Sequence, residues 1–138
     1  PWYVKTLMER ILCTEVDELA VRFFRSEYLV HWYMVSRTLP AKGPPTVSFR
    51  WHCDKGPRSH LKILVYLTDA KESNSGTAFV DLGQTSSLIP TGYLFGRGRR
   101  RTASLEELSQ MAGRKLEAHR LVISAGEGVM FQPARQAW

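Results

Sequence analysis

Trp51-His52-Cys53-Asp54 sets an imidazole and a carboxylate two residues apart. In an extended chain alternate side chains share a face, so His52 and Asp54 can grip one divalent cation. Such a pair supplies two corners of the 2-His-1-carboxylate triad of non-haem Fe(II) oxygenases, whose open corners admit a chelating cosubstrate and dioxygen. Taken alone, His-x-Asp is common, and a surface histidine near an aspartate is its plainer meaning. The same alternation turns Cys53 away from the pair, as a small core residue rather than a thiolate ligand. Further on, Lys62, Leu64, Tyr66 and Thr68 share one face of a strand. An amine and a phenol there suit a carboxylate. A lysine that simply meets water at a sheet edge is an equal reading of Lys62.

The elements that must hold these residues can be read from periodicity. Thr14 looks like an N-cap, and Val16, Leu19, Ala20, Phe23 and Phe24 follow at helical spacing, predicting a helix over 15–25. A shorter helical piece is expected over 5–12. From 28 to 38 bulky and β-branched residues alternate on both faces, as in a strand buried on both sides. Further strands are expected over 46–54, 61–68, 77–81, 120–124 and 129–132. Turns fall at 40–45, 69–76 and 125–128. The Gly- and Pro-containing stretch 83–101 reads as irregular. Ser104 and Glu107 then form a capping box opening a helix with Leu105, Leu108, Met111 and Leu116 as its apolar stripe. Strands following one another without intervening helices argue against a doubly wound parallel sheet and for an antiparallel sandwich or barrel.

The segment WHCDKGPRSHLKILVYLTDAKESNSG resembles the phytanoyl-CoA dioxygenase-like branch of the Fe(II)/2-oxoglutarate-dependent oxygenases. It has the family's Trp-His-x-Asp start, loop, apolar strand and acidic turn ending near Asn-x-Gly. The later GEGVMFQP is similar to the family's Gly-Asp/Glu-Gly turn and Phe-containing strand. The resemblance spans roughly Tyr28 to the end. It implies a mainly β fold with flanking helices, a double-stranded β-helix (jelly roll), incomplete at the C-terminal side. A helical flank over 1–26 would precede a core over 27–138, with a lid or insert over 83–118. It implies His52 and Asp54 as iron ligands, with a third, histidine ligand beyond Trp138. Lys62 and Tyr66 match positions near the 2-oxoglutarate, and Met34 matches a pocket-lining position; among Trp32 and Tyr33, Met34 also reads as plain core. The Pro-Gly-Ser-His motif that relatives carry after the acidic turn is absent from 78–86. The implied activity is hydroxylation of a small organic molecule, using Fe(II) and 2-oxoglutarate.

The composition agrees with one globular domain. The chain has 138 residues, 43% hydrophobic and 23% charged, which excludes disordered, collagen-like and coiled-coil classes. No apolar run approaches the roughly 20 residues of a membrane span. Two cysteines are too few for a disulfide scaffold and suit reduced thiols in the cytoplasm. The start at Pro1 and the end at Trp138 suggest a piece of a longer protein. Nineteen basic against thirteen acidic residues give +6, which favours anionic partners, from a small carboxylate or phosphate to nucleic acid, without choosing among them; the small-molecule substrate, anionic in that case, comes from the resemblance. Four arginines within 97–101 invite nucleic acid, but a solvated loop is the plainer reading, because no aromatic platform accompanies them. Two other functions stay open: a non-catalytic jelly-roll binding module with a degenerate metal site, and a nucleic-acid-acting oxygenase. Oligomeric state is not legible.

Overall fold

The structure is a computed structural model that describes residues 2–38, 43–57, 59–71, 76–93 and 101–138. It divides into two units, Pro1–Pro40 and Ala41–Trp138.

The first unit holds α1 (Trp2–Ile11) and α2 (Thr14–Phe24). Helix α1 begins three residues before its expected start. The N-cap of α2 is Cys13 and not Thr14, because the Cys13 carbonyl already accepts the Asp17 N–H at 2.9 Å and Thr14 is the first helical residue. Arg25 closes α2 in a left-handed conformation (φ 55°), donating its N–H to the Val21 carbonyl. The Tyr28 hydroxyl then donates to Asp17 Oδ1 at 2.6 Å, and its ring stacks on Phe24. The strand expected over 28–38 does not form. Bulk and β-branching favour a pleated surface only where a neighbouring strand takes up the backbone bonds. No strand among the described residues does so here, and Leu29, Trp32 and Met34 are more than half exposed.

The second unit carries β1 (Lys62–Val65), β2 (Ala78–Val80), α3 (Leu82–Ser86), α4 (Leu105–Ala112), β3 (Ala118–Arg120) and β4 (Gly128–Phe131). Short 3-10 turns occupy Val47–Phe49 and Ile89–Thr91. Strand β1 pairs antiparallel with β4, Lys62 opposite Phe131, and β2 with β3, Ala78 opposite Arg120. An isolated bridge, Ala70 to Ile123, runs between these pairs. Two positions need glycine for space. A β-carbon on Gly76 would collide with the Leu121 carbonyl, and one on Gly128 would lie 2.8 Å from the Leu64 carbonyl.

The expectation of a mainly β fold is therefore corrected. Among the described residues there are four short strands in two two-stranded sheets, beside four helices, and no closed barrel. The region 46–54 opens as a 3-10 turn and becomes extended only from Trp51. Part of the stretch expected to be irregular is helical: Asp81 caps α3 by accepting the Gln84 N–H at 2.7 Å, and a 3-10 turn follows at Ile89–Thr91, while 94–100 lie outside the described residues. Arg97, Arg99 and Arg100 lie outside the described residues, as do parts of the turns expected at 40–45 and 69–76.

Helix α4 stands where the capping box predicts. Ser104 Oγ accepts the Glu107 N–H at 3.2 Å. The return half of the box is relayed: Thr102 Oγ1 takes the Ser104 N–H at 2.9 Å and donates to the Glu107 carboxylate. The helix ends at Ala112, because Gly113 turns left-handed (φ 66°). Leu116 therefore lies beyond the helix, yet it joins Leu108, Leu88, Val80, Cys53 and Ala137 in the core.

Candidate functional site

The site is built where three chain segments meet edge to edge. The 51–54 segment is extended and pairs with the C-terminal residues: Asp54 donates its N–H to the Pro133 carbonyl at 2.7 Å. His52 and Trp138 exchange both backbone bonds, at 3.2 and 3.1 Å. On the other side Val80 donates to the Ala137 carbonyl at 2.9 Å. Alternation then sends Cys53 into the core, 2% exposed, and turns His52 and Asp54 to the opposite face.

On that face His52 Nε2 and Asp54 Oδ1 are 3.3 Å apart. The imidazole is 6% exposed, with Nδ1 2.7 Å from the Arg50 carbonyl. A carbonyl only accepts, so Nδ1 carries the proton. Nε2 then has two options. It bears a second proton and forms an ion pair with Asp54, or it turns a lone pair toward a carboxylate oxygen and needs a cation between them. A neutral imidazole fixed through its far nitrogen to a backbone carbonyl is the arrangement metal-binding histidines use. Two ligands each about 2.1 Å from one ion lie roughly 3 to 3.4 Å apart, so the spacing suits the pair. The residues present fit two positions of an iron site. Among the described residues no group of three His, Cys, Asp or Glu converges to complete it.

Lys62 reaches the same carboxylate from β1. Its ammonium lies 2.5 Å from Asp54 Oδ2 and 4.1 Å from the centre of the Trp138 ring. Asp54 thus divides its oxygens between imidazole and ammonium. Burial pushes the Asp54 carboxyl up, but hydrogen bonds from His52 and Lys62, with the charges behind them, outweigh it and hold it at about 2. Cys53 goes the other way. Burial and then the Asp54 charge push its thiol up to about 12, against the Arg101 guanidinium.

Trp138 covers the pair. Its ring lies 4.7 Å from the His52 ring and meets Phe131 edge to face. Its buried indole N–H has no hydrogen-bond partner. Sequence reasoning missed this residue and the Arg50 carbonyl, since both act through pairing between distant segments that no local pattern reveals.

The other expected site residues fall as follows. Lys62 joins His52 and Asp54. Tyr66 does not: its hydroxyl donates to Thr77 Oγ1 at 2.7 Å and accepts the Thr77 N–H at 3.1 Å, tying β1 to the start of β2. Met34 belongs to the first unit, where it is 68% exposed.

Compared with family models, with curated proteins and with solved structures, the chain matches none. No helix among the described residues is long and apolar enough to cross a membrane.

Proposed function

We propose that this chain is part of an Fe(II)/2-oxoglutarate-dependent oxygenase of the phytanoyl-CoA dioxygenase-like kind, acting on a small organic molecule. The observation that carries the reading is the 3.3 Å approach of His52 Nε2 to Asp54 Oδ1, with Nδ1 tied to the Arg50 carbonyl. In this reading His52 and Asp54 would hold the iron, and a third ligand would come from outside the described residues. Iron with 2-oxoglutarate and dioxygen would supply oxidative decarboxylation coupled to hydroxylation of a C–H bond.

The chain's own residues have definite tasks in such a site. The Arg50 carbonyl holds the Nδ1 proton, so Nε2 is the nitrogen that would face the metal, giving up the hydrogen bond it makes to Asp54. Asp54 stays ionised at any physiological pH. Trp138 and Phe131 exclude water from the imidazole side. The Lys62 ammonium stands beside the carboxylate, where it neutralises charge and can meet the carboxylate end of oxoglutarate. The test is succinate formation from oxoglutarate by the protein supplied with Fe(II). Metal-dependent succinate that disappears in His52→Ala supports the reading; none in the wild-type protein counts against it.

A second reading draws on the Lys62–Asp54 contact. Imidazolium, carboxylate and ammonium would form a structural charge network in a binding module without catalysis. It requires His52 to be doubly protonated and Asp54 to be unavailable to metal. Weak, His52-independent metal binding would favour it.

A further inference from the structure

A second, unassigned group of cations is formed by Arg50 and Arg101. Arg50 directs Nε to the Pro45 carbonyl at 3.1 Å and Nη1 to the Arg101 carbonyl at 3.2 Å. Arg101 in turn directs Nη1 to the Val47 carbonyl at 3.3 Å. Among the described residues each guanidinium is held by backbone oxygens alone. A guanidinium has five N–H donors; these bonds occupy two on Arg50 and one on Arg101. Among the described residues neither arginine has a carboxylate within ion-pair distance.

Both line an open cleft of about 490 Å³, together with Pro45, Thr102, Ser104 and Glu107. Three N–H groups of this wall are already taken: Ser104 Oγ takes Glu107, Thr102 Oγ1 takes Ser104, and the Tyr93 hydroxyl takes Thr102 at 2.7 Å. The guanidiniums of Arg50 and Arg101 are the charged donors among the described lining residues. Among the described residues lining the cleft Glu107 is the one carboxylate; it accepts from the Thr102 hydroxyl, so it opposes an anion and does not replace one. In sequence Arg97, Arg99 and Arg100 directly precede Arg101.

We infer that this cleft binds a phosphate-bearing small molecule, with Arg50 and Arg101 as the paired anion clamp. Two pre-oriented forks with free N–H pairs match the several oxygens of a phosphate or pyrophosphate group, and a lone ammonium would not. Holding both arginines by carbonyls fixes them before the ligand arrives, so less rotamer freedom is lost on binding. The clamp does not require iron: Arg50 meets the His52–Asp54 pair through its backbone carbonyl, which accepts from His52 Nδ1, whereas the clamp uses its guanidinium.

The test is a pyrophosphate titration of the whole chain at constant ionic strength, following the arginine Nε–Hε resonances by NMR, with inorganic phosphate in parallel. Saturable shifts of the Arg50 and Arg101 signals are expected, with affinity reduced at least about tenfold in Arg101→Gln. A triple Arg97, Arg99 and Arg100→Gln variant should bind pyrophosphate within roughly threefold of wild type, since the clamp's contacts are assigned to Arg50 and Arg101. No saturable shift of either resonance in the wild-type chain overturns the proposal; this arm needs no variant, so misfolding of Arg101→Gln cannot obscure it. Binding of a single-stranded oligonucleotide that pyrophosphate does not displace, and that the triple variant abolishes, also overturns it in favour of a nucleic-acid loop.

Discussion

His52 and Trp138 lie opposite one another on antiparallel backbone, exchange both N–H···O=C bonds at 3.2 and 3.1 Å, and bring their rings to 4.7 Å. That one pairing orients the imidazole through its backbone and shelters it through its side chain. It also gives the Lys62 ammonium an aromatic face to rest on.

Replacing Trp138 with alanine removes three contacts at once: His52, Phe131 and the Lys62 ammonium. The loss in stability should be about 2–4 kcal/mol, at the lower part of the range for large aromatic truncations because the residue is only half-buried. Urea unfolding measures it. A change below about 0.5 kcal/mol would show that the ring does not cover the site.

The Asp54 carboxylate gives the site a pH signature. Its pKa of about 2 in the folded chain lies below the unfolded value, so its contribution is complete above about pH 4 and fades as pH falls toward 2. The amount is on the order of 2 kcal/mol, less whatever solvent screening removes from this partly exposed group. Asp54→Asn should lose this part of the acid dependence while remaining folded at pH 7. Matching acid profiles for the two proteins would contradict the ion-pair geometry.

The two thiols should behave oppositely. Cys13 is exposed and Cys53 is buried, with its thiol pushed up to about 12. At pH 8 only about one Cys53 in ten thousand is thiolate. A disulfide reagent should therefore count one fast thiol in the native chain and two in denaturant. Two fast thiols would place Cys53 on the same face as His52.

Tyr66→Phe removes both hydrogen bonds to Thr77 and leaves a half-buried N–H unmet. The expected cost is about 1–2 kcal/mol in thermal or urea unfolding. A loss of oxoglutarate affinity without a loss of stability would instead assign the hydroxyl to a ligand.

Helices α2 and α4 were legible because their signals are local: apolar spacing, and Ser104 with Glu107 at a start. The facing of His52, Cys53 and Asp54 was legible for the same reason, since alternation needs only an extended backbone. The strand partners were not. Sequence order suggests a hairpin across the turn at 125–128, whereas β4 pairs with β1 and β3 with β2. Such choices are made by long-range contacts. The 28–38 segment shows the converse: it has strand composition, but no strand among the described residues pairs with it.

The most direct measurement is an anaerobic Fe(II) titration, with oxoglutarate present, of the wild-type chain, His52→Ala and Asp54→Asn by calorimetry. The account predicts one saturable site in the wild-type chain, weakened at least about tenfold in both variants. Equal affinity in His52→Ala and wild type, or no saturable binding at all, would contradict it.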